Sequence, residues 1–417
     1  VIAEPVPVIR QIGQSRLILS MLLLVAMLLV AISAIRFQAP ELLGQDKVLT
    51  DFDAYHVAGT LAGRGDAADA YHAASMLEAQ RELTGTAKLL PWTYPPPFTL
   101  FVDLLANLPV GLAYALFVVT SFGLYIGVLY RIAGPWLPGV LLAVMPTIFI
   151  NLRVGQNGFL IAALIGAVLL AWRANKAVAG VPLGLMVIKP HLAAGVGLLA
   201  LFGRRWEVLA MAALVAGFSM ALATMAYGLN VWASFFGAVQ EAGEFLAGGH
   251  YPLFRMNSVY AALLSWGLPS GWAMVGHLAG AVAALVLLIK ASLSHVAFGQ
   301  RAALICALSL FVSPYNYDYD LAILGIGLAF VAPDLSARAS PRALGGVLAL
   351  AWATCGYGIV VEGLLPEEMT VLGASGAWAV PAIICPLLVA LCWVTLRLVR
   401  QGEVPAATFG PQACTTD

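Results

Sequence analysis

The stretch LILSMLLLVAMLLVAISAI, Leu17–Ile35, runs nineteen residues without a charge. A helix on the surface of a soluble protein shows a polar face at every second turn, and this stretch has none. About 20 apolar residues cross the hydrocarbon core of a bilayer as one helix, and this run meets that length. Ala31-Ile32-Ser33-Ala34 resembles a signal-peptide cleavage site, and Arg10 and Arg16 precede the run. The run is too long for a typical signal core, and many apolar runs follow, so it reads as an uncleaved first span.

The rest of the 417 residues has the same character. Hydrophobic residues make up 61%, charged residues 10%, and mean hydropathy is +0.92. A soluble globule of this size could not bury that much apolar surface. Disorder needs the opposite composition. A zero net charge leaves no basic excess to neutralise nucleic-acid phosphates. The apolar runs are continuous rather than alternating, which excludes an outer-membrane barrel. The expected fold is an all-α polytopic membrane protein.

Further runs lie at about 110–130, 136–150, 157–172, 178–188, 192–203, 207–228, 271–290, 302–313, 318–332, 343–361 and 376–399. They predict about twelve crossings in one transmembrane domain over 1–400. Several are short and must be extended by polar flanks or broken where they line a cavity. Lys and Arg set the orientation. With the N-terminus inside and 94–109 dipping in without crossing, thirteen basic residues fall inside and eight outside. The acidic residues divide five inside and sixteen outside, so the zero net charge resolves into about +8 and about −8. The first extracytoplasmic loop is then 38–93, the second 229–270, and 401–417 is a flexible cytoplasmic tail. Cys306, Cys355, Cys385, Cys392 and Cys414 show no metal-binding spacing and read as small core residues.

In this topology five polar clusters reach the outer side. Asp51-Phe52-Asp53-Ala54-Tyr55-His56 follows the first span. Carboxylates at i and i+2 point the same way on a strand and apart on a helix. Either is a general base for a hydroxyl, or else a helix cap beside a solvated charge. Trp92-Thr93-Tyr94-Pro95-Pro96-Pro97-Phe98 reads as an interfacial aromatic turn. Asn151-Leu152-Arg153-Val154-Gly155-Gln156-Asn157-Gly158 carries amides suited to sugar hydroxyls and an Arg suited to phosphate, or is a polar hairpin. Ile188-Lys189-Pro190-His191 interrupts an apolar run. Lys189 suits a phosphate as a point charge, unless it snorkels to the interface. Ser313-Pro314-Tyr315-Asn316-Tyr317-Asp318-Tyr319-Asp320 is a second break, where Asp320 also begins a helix. In the second loop Arg255 is a further phosphate candidate and Tyr251 a sugar-stacking one.

Taken in order, these clusters resemble glycosyltransferase family 87. Asp51-Phe52-Asp53-Ala54-Tyr55-His56-Val57-Ala58-Gly59, then Leu61, Gly63 and Asp69-Ala70-Tyr71, are similar to the family's opening motif. The Tyr94–Phe98 segment, Gly155-Gln156-Asn157, Lys189-Pro190 and Ser313-Pro314…Tyr319-Asp320 follow as later landmarks, covering Asp51 to Leu321. The resemblance implies a GT-C glycosyltransferase-like bundle in the plasma (inner) membrane with its active site outside. It implies a hexosyltransferase using a polyprenyl-phosphate sugar donor, with mannose the family-level sugar, and a lipid or glycan acceptor. The catalytic aspartate of the family maps to Asp51. Some relatives carry histidine in the segment corresponding to Ser313–Asp320, where this chain has Tyr315 and Asn316.

The residues themselves fit such chemistry. Asp51 is the expected general base, and Lys189, Arg153 and Arg255 are the expected donor-phosphate ligands. Asp53, Tyr55, Gln156, Asn157, His191, Tyr315, Asp318 and Asp320 are candidates for substrate binding. No metal or cofactor is called for, and membrane lipid is the surrounding partner. The rival reading is a secondary transporter or lipid flippase, because broken helices with charges at membrane depth also suit transport. A membrane acyltransferase or polysaccharide ligase is a third.

Overall fold

The computed structural model describes residues 8–85, 89–364 and 380–400. The expected tail 401–417 and Cys414 lie outside the described residues. The described part is helical throughout. An isolated antiparallel bridge between Met256 and Tyr317 is its β feature.

The opening stretch forms the helix Arg16–Gln38, started by Ser15, whose hydroxyl accepts the Ile18 N–H at 3.3 Å. Among the described residues, six helices are long and apolar enough to cross a membrane: Arg16–Gln38, Val110–Ala143, Trp206–Tyr227, Ser270–Leu293, Asp318–Arg338 and Pro341–Leu364. This is fewer than the dozen expected, and the reason is local. The run at 136–150 divides into Leu137–Ala143 and Met145–Val154, each with a proline in its first turn. The runs at 178–188 and 192–203 form separate helices too short to meet that length, divided at Lys189, whose backbone leaves the helical region at φ −145°, ψ 68°. Gly158–Arg173 is helical but has only 16 residues.

The helices differ in what surrounds them. In Arg16–Gln38 only 17% of the apolar window is buried, and Leu17 and Met27 are each 70% exposed. In Asp318–Arg338 the buried share is 72%. The first is therefore a peripheral, lipid-facing helix, and the second is the central post of the bundle.

Around the post, the helices that carry the polar clusters are short. Pro96–Ala106 has 11 residues, which at 1.5 Å per residue spans about 16 Å, roughly half a bilayer core. That length suits a segment that dips in. It starts at the proline run, where the Phe98 N–H bonds to the Pro95 carbonyl at 2.8 Å. It packs against Asp51–Gly63 through Tyr55 and Phe98, whose rings meet edge to face at 5.2 Å. Asp103 is not a loose charge, because it accepts the Tyr227 hydroxyl at 2.8 Å. Cys306, Cys355 and Cys385 are buried and unpaired, and Cys392 is partly buried, in keeping with core packing.

Candidate active site

Three chain segments meet around the first turn of Asp51–Gly63. Thr50 is the cap, so the helix begins at Asp51. On a helix, residues two apart face nearly opposite ways, and this separates the two aspartates.

Asp53 turns inward. One oxygen takes the Thr50 N–H at 2.9 Å and its hydroxyl at 3.2 Å; the other takes Lys47 Nζ at 2.6 Å. Asp53 is 2% exposed and is consumed by a capping box and an ion pair. Its oxygens are engaged by its own helix and by Lys47.

Asp51 turns the other way and remains half-buried. Gln156, Arg255 and Lys189 lie close enough to act on its charge. Burial raises its pKa above the ordinary value, and this outweighs the opposing pull of Arg255 and Gln156.

Gln156 is held rigidly. Its carbonyl oxygen accepts from Tyr55 at 2.5 Å, from Tyr94 at 3.1 Å and from the Asn157 N–H at 3.1 Å. The loop that carries it depends on Gly155, at φ +69°. A Cβ there would come within 2.7 Å of Phe52 Cβ. Only glycine allows both this backbone and this approach to the Asp51 turn.

The break at Lys189 meets the break before Asp318–Arg338. Lys189 Nζ bonds to Asp320 at 2.7 Å and lies 4.8 Å from the centre of the Tyr319 ring. Lys189 is 8% exposed and does not snorkel. Asp320 also accepts the Tyr317 N–H at 3.2 Å, so it caps the start of its own segment as well as pairing with Lys189. Asn151 anchors this segment by donating to the Tyr319 carbonyl at 2.9 Å.

Asp318 faces Arg255. Nε and Nη2 of the guanidinium each reach one carboxylate oxygen at 3.1 Å, a bidentate pair. Beyond it, Glu362 lies 3.9 Å from Arg255 and 3.4 Å from Arg153. Arg153 thus joins the group through Glu362.

The remaining candidates are peripheral to this group. His191 lies two residues from Lys189 and is partly exposed. The Asn157 side chain is fully buried, and neither of its polar atoms has a partner. Tyr315 packs edge-on against Tyr251 at 6.1 Å with its hydroxyl unpartnered. Sequence reasoning passed over two members of the group. Tyr94 was absorbed into an interfacial turn, although its place in an aromatic-proline motif was visible. Glu362 was one acidic residue near the end of an apolar run. Among the described residues no three His, Cys, Asp or Glu side chains are grouped to hold a metal ion.

The model of glycosyltransferase family 87 matches residues 92–314, more than half of the chain. The chain belongs to glycosyltransferase family 87. No curated protein and no solved structure matches it. The matched part of this glycosyltransferase contains Tyr94, Arg153, Gln156, Lys189 and Arg255, while Asp51, Asp318, Asp320 and Glu362 lie outside it. The group described above therefore joins residues of the matched segment to residues before and after it.

Proposed function

We propose that this membrane glycosyltransferase transfers mannose from a polyprenyl-phosphate donor to a lipid or glycan acceptor on the extracytoplasmic face, with Asp51 as general base. One observation carries the reading. A half-buried carboxylate near Gln156 stands beside two buried cation–carboxylate pairs, one joining two breaks in apolar segments and the other joining the second outer loop to one of them.

Asp51 takes the proton of the acceptor hydroxyl as that oxygen bonds to the anomeric carbon. The bond from that carbon to the phosphate oxygen breaks, and polyprenyl phosphate leaves. Direct displacement inverts the anomeric configuration. The developing phosphate charge needs preorganised donors. Arg255 spends Nε and Nη2 on Asp318, which leaves its Nη1 edge for a phosphate oxygen. Lys189 spends one of its three N–H donors on Asp320. Arg153 adds a third cation. Tyr55, Gln156 and Asn157 offer hydroxyl and amide groups to the sugar, and His191, Tyr315, Asp318 and Asp320 border the same region. The chain is then one membrane domain of about twelve crossings, with 38–93 and 229–270 outside. The two segments carrying Asp51 and Arg255 belong to those outer stretches.

The test is transfer of label from radiolabelled polyprenyl-phosphate mannose in membranes holding the enzyme. A general base contributes roughly 10²–10⁴-fold, so Asp51→Asn should lose about three orders of magnitude while melting normally. Full activity in Asp51→Asn would sink the assignment. Vectorial movement of the lipid without transfer would favour a transporter instead.

A further inference from the structure

Glu362 differs from the other carboxylates of the group. Asp318 and Asp320 are 0% and 1% exposed, and their cations lie at 2.7–3.1 Å. Glu362 is 37% exposed and stands 3.4 Å from Arg153 and 3.9 Å from Arg255. A third guanidinium is near, since Arg36 donates to the Arg153 carbonyl at 3.0 Å. Arg153 and Arg255 therefore share Glu362, while Arg36 is tied to the backbone of Arg153.

Two features mark Glu362 as the weakly held member. It sits in the last turn of Pro341–Leu364, where the helix dipole opposes a negative charge. A half-exposed pair at such distances contributes little. Its position is nonetheless built. One turn earlier, Gly358 lets the helix backbone pass against the buried pair: a Cβ there would come within 2.5 Å of Asp318 Oδ2 and 3.2 Å of Arg255 Cγ. The close approach brings Glu362 over the outer side of Arg255.

We propose that Glu362 is a positioning residue that stands in for the donor's phosphate. In the empty enzyme it neutralises Arg153 and Arg255 and keeps their guanidiniums apart. The arriving phosphate displaces it, and its return helps to expel polyprenyl phosphate after transfer. The inference rests on the proposed polyprenyl-phosphate reading. A phosphodiester donor carries one negative charge and the phosphomonoester product up to two. Competition with Glu362 therefore weighs more heavily on the product.

The experiment compares wild type with Glu362→Gln in detergent at low salt. Polyprenyl monophosphate is the probe, read both by thermal shift and by inhibition of transfer. Removing one half-exposed competing charge should tighten product binding about fivefold and lower the donor KM by less. High salt should narrow the difference. A merely structural role would weaken binding, so tighter binding separates the two. Equal or weaker product binding by Glu362→Gln, with an active wild type, would overturn this inference and leave the proposed function standing. A wild type that neither binds the lipid phosphate nor transfers from it would overturn the proposed function itself. If Glu362→Gln fails to fold, Glu362→Asp, which draws the carboxylate back by one methylene, must show the same tightening or the inference falls.

Discussion

The enzyme contains two Lys–Asp pairs of almost equal length, Lys47–Asp53 at 2.6 Å and Lys189–Asp320 at 2.7 Å. Both aspartates are buried, at 2% and 1% exposure. The difference lies in what each pair ties together. Lys47 and Asp53 are six residues apart, and the pair closes the loop before one helix. Lys47 keeps 21% of its side chain exposed, so its charge stays partly hydrated. Lys189 and Asp320 are 131 residues apart, each at a break in an apolar segment. A short ion pair thus says little by itself. Its sequence span and the hydration of its cation separate a helix cap from a device that joins two broken helices beside Asp51.

The sharpest way to break this comparison is to remove each lysine. Lys189→Met leaves Asp320 buried without its cation, and breaking such a pair costs about 3–5 kcal/mol. We expect a large fall in melting temperature in detergent together with loss of transfer. Stability unchanged by this substitution would mean that Asp320 finds another partner. The pH dependence comes next. As the proposed general base Asp51 must be ionised, and burial raises its pKa, so the acid limb of the rate should lie above the ordinary carboxylate value of 3.8. The folded state also holds that proton more tightly than the unfolded chain. The stability linked to Asp51 is therefore full below 3.8 and lost as pH rises through the higher folded value. Asp51→Asn should for that reason melt no lower than wild type at neutral pH, even while inactive. A lower melting temperature would show that the Asp51 carboxylate is structural.

Smaller effects belong to the Asp53 side. Asp53→Ala removes a helix cap and a lysine partner, and should cost about 1–2 kcal/mol of stability, with activity per folded molecule kept. Lys47→Met should cost less, about 1 kcal/mol or under, because its charge is partly solvated. Loss of transfer in either variant beyond the loss of folded protein would place Asp53 in the reaction after all.

Much of this was legible before any coordinates. The apolar run Leu17–Ile35 predicted the helix Arg16–Gln38 to within a few residues. The breaks at Lys189 and before Asp318 were visible because charge and proline are costly within apolar segments. Asp51 and Asp53 could not be separated from residue types alone. Their roles followed from where the helix starts, since beginning at Asp51 sends the two side chains to opposite sides. Glu362 was not legible as a member of the group, because nothing local to it indicates that Arg153 and Arg255 lie nearby.

Composition and hydropathy alone therefore determined the solvent of this protein, because no soluble fold hides so many apolar side chains. They also marked the breaks at Lys189 and before Asp318. Only the tertiary structure decided which broken end meets which, and hence which carboxylate pairs with which cation. Pairing depends on distances of about 3 Å between residues more than 60 positions apart, and a linear pattern carries no information on that scale.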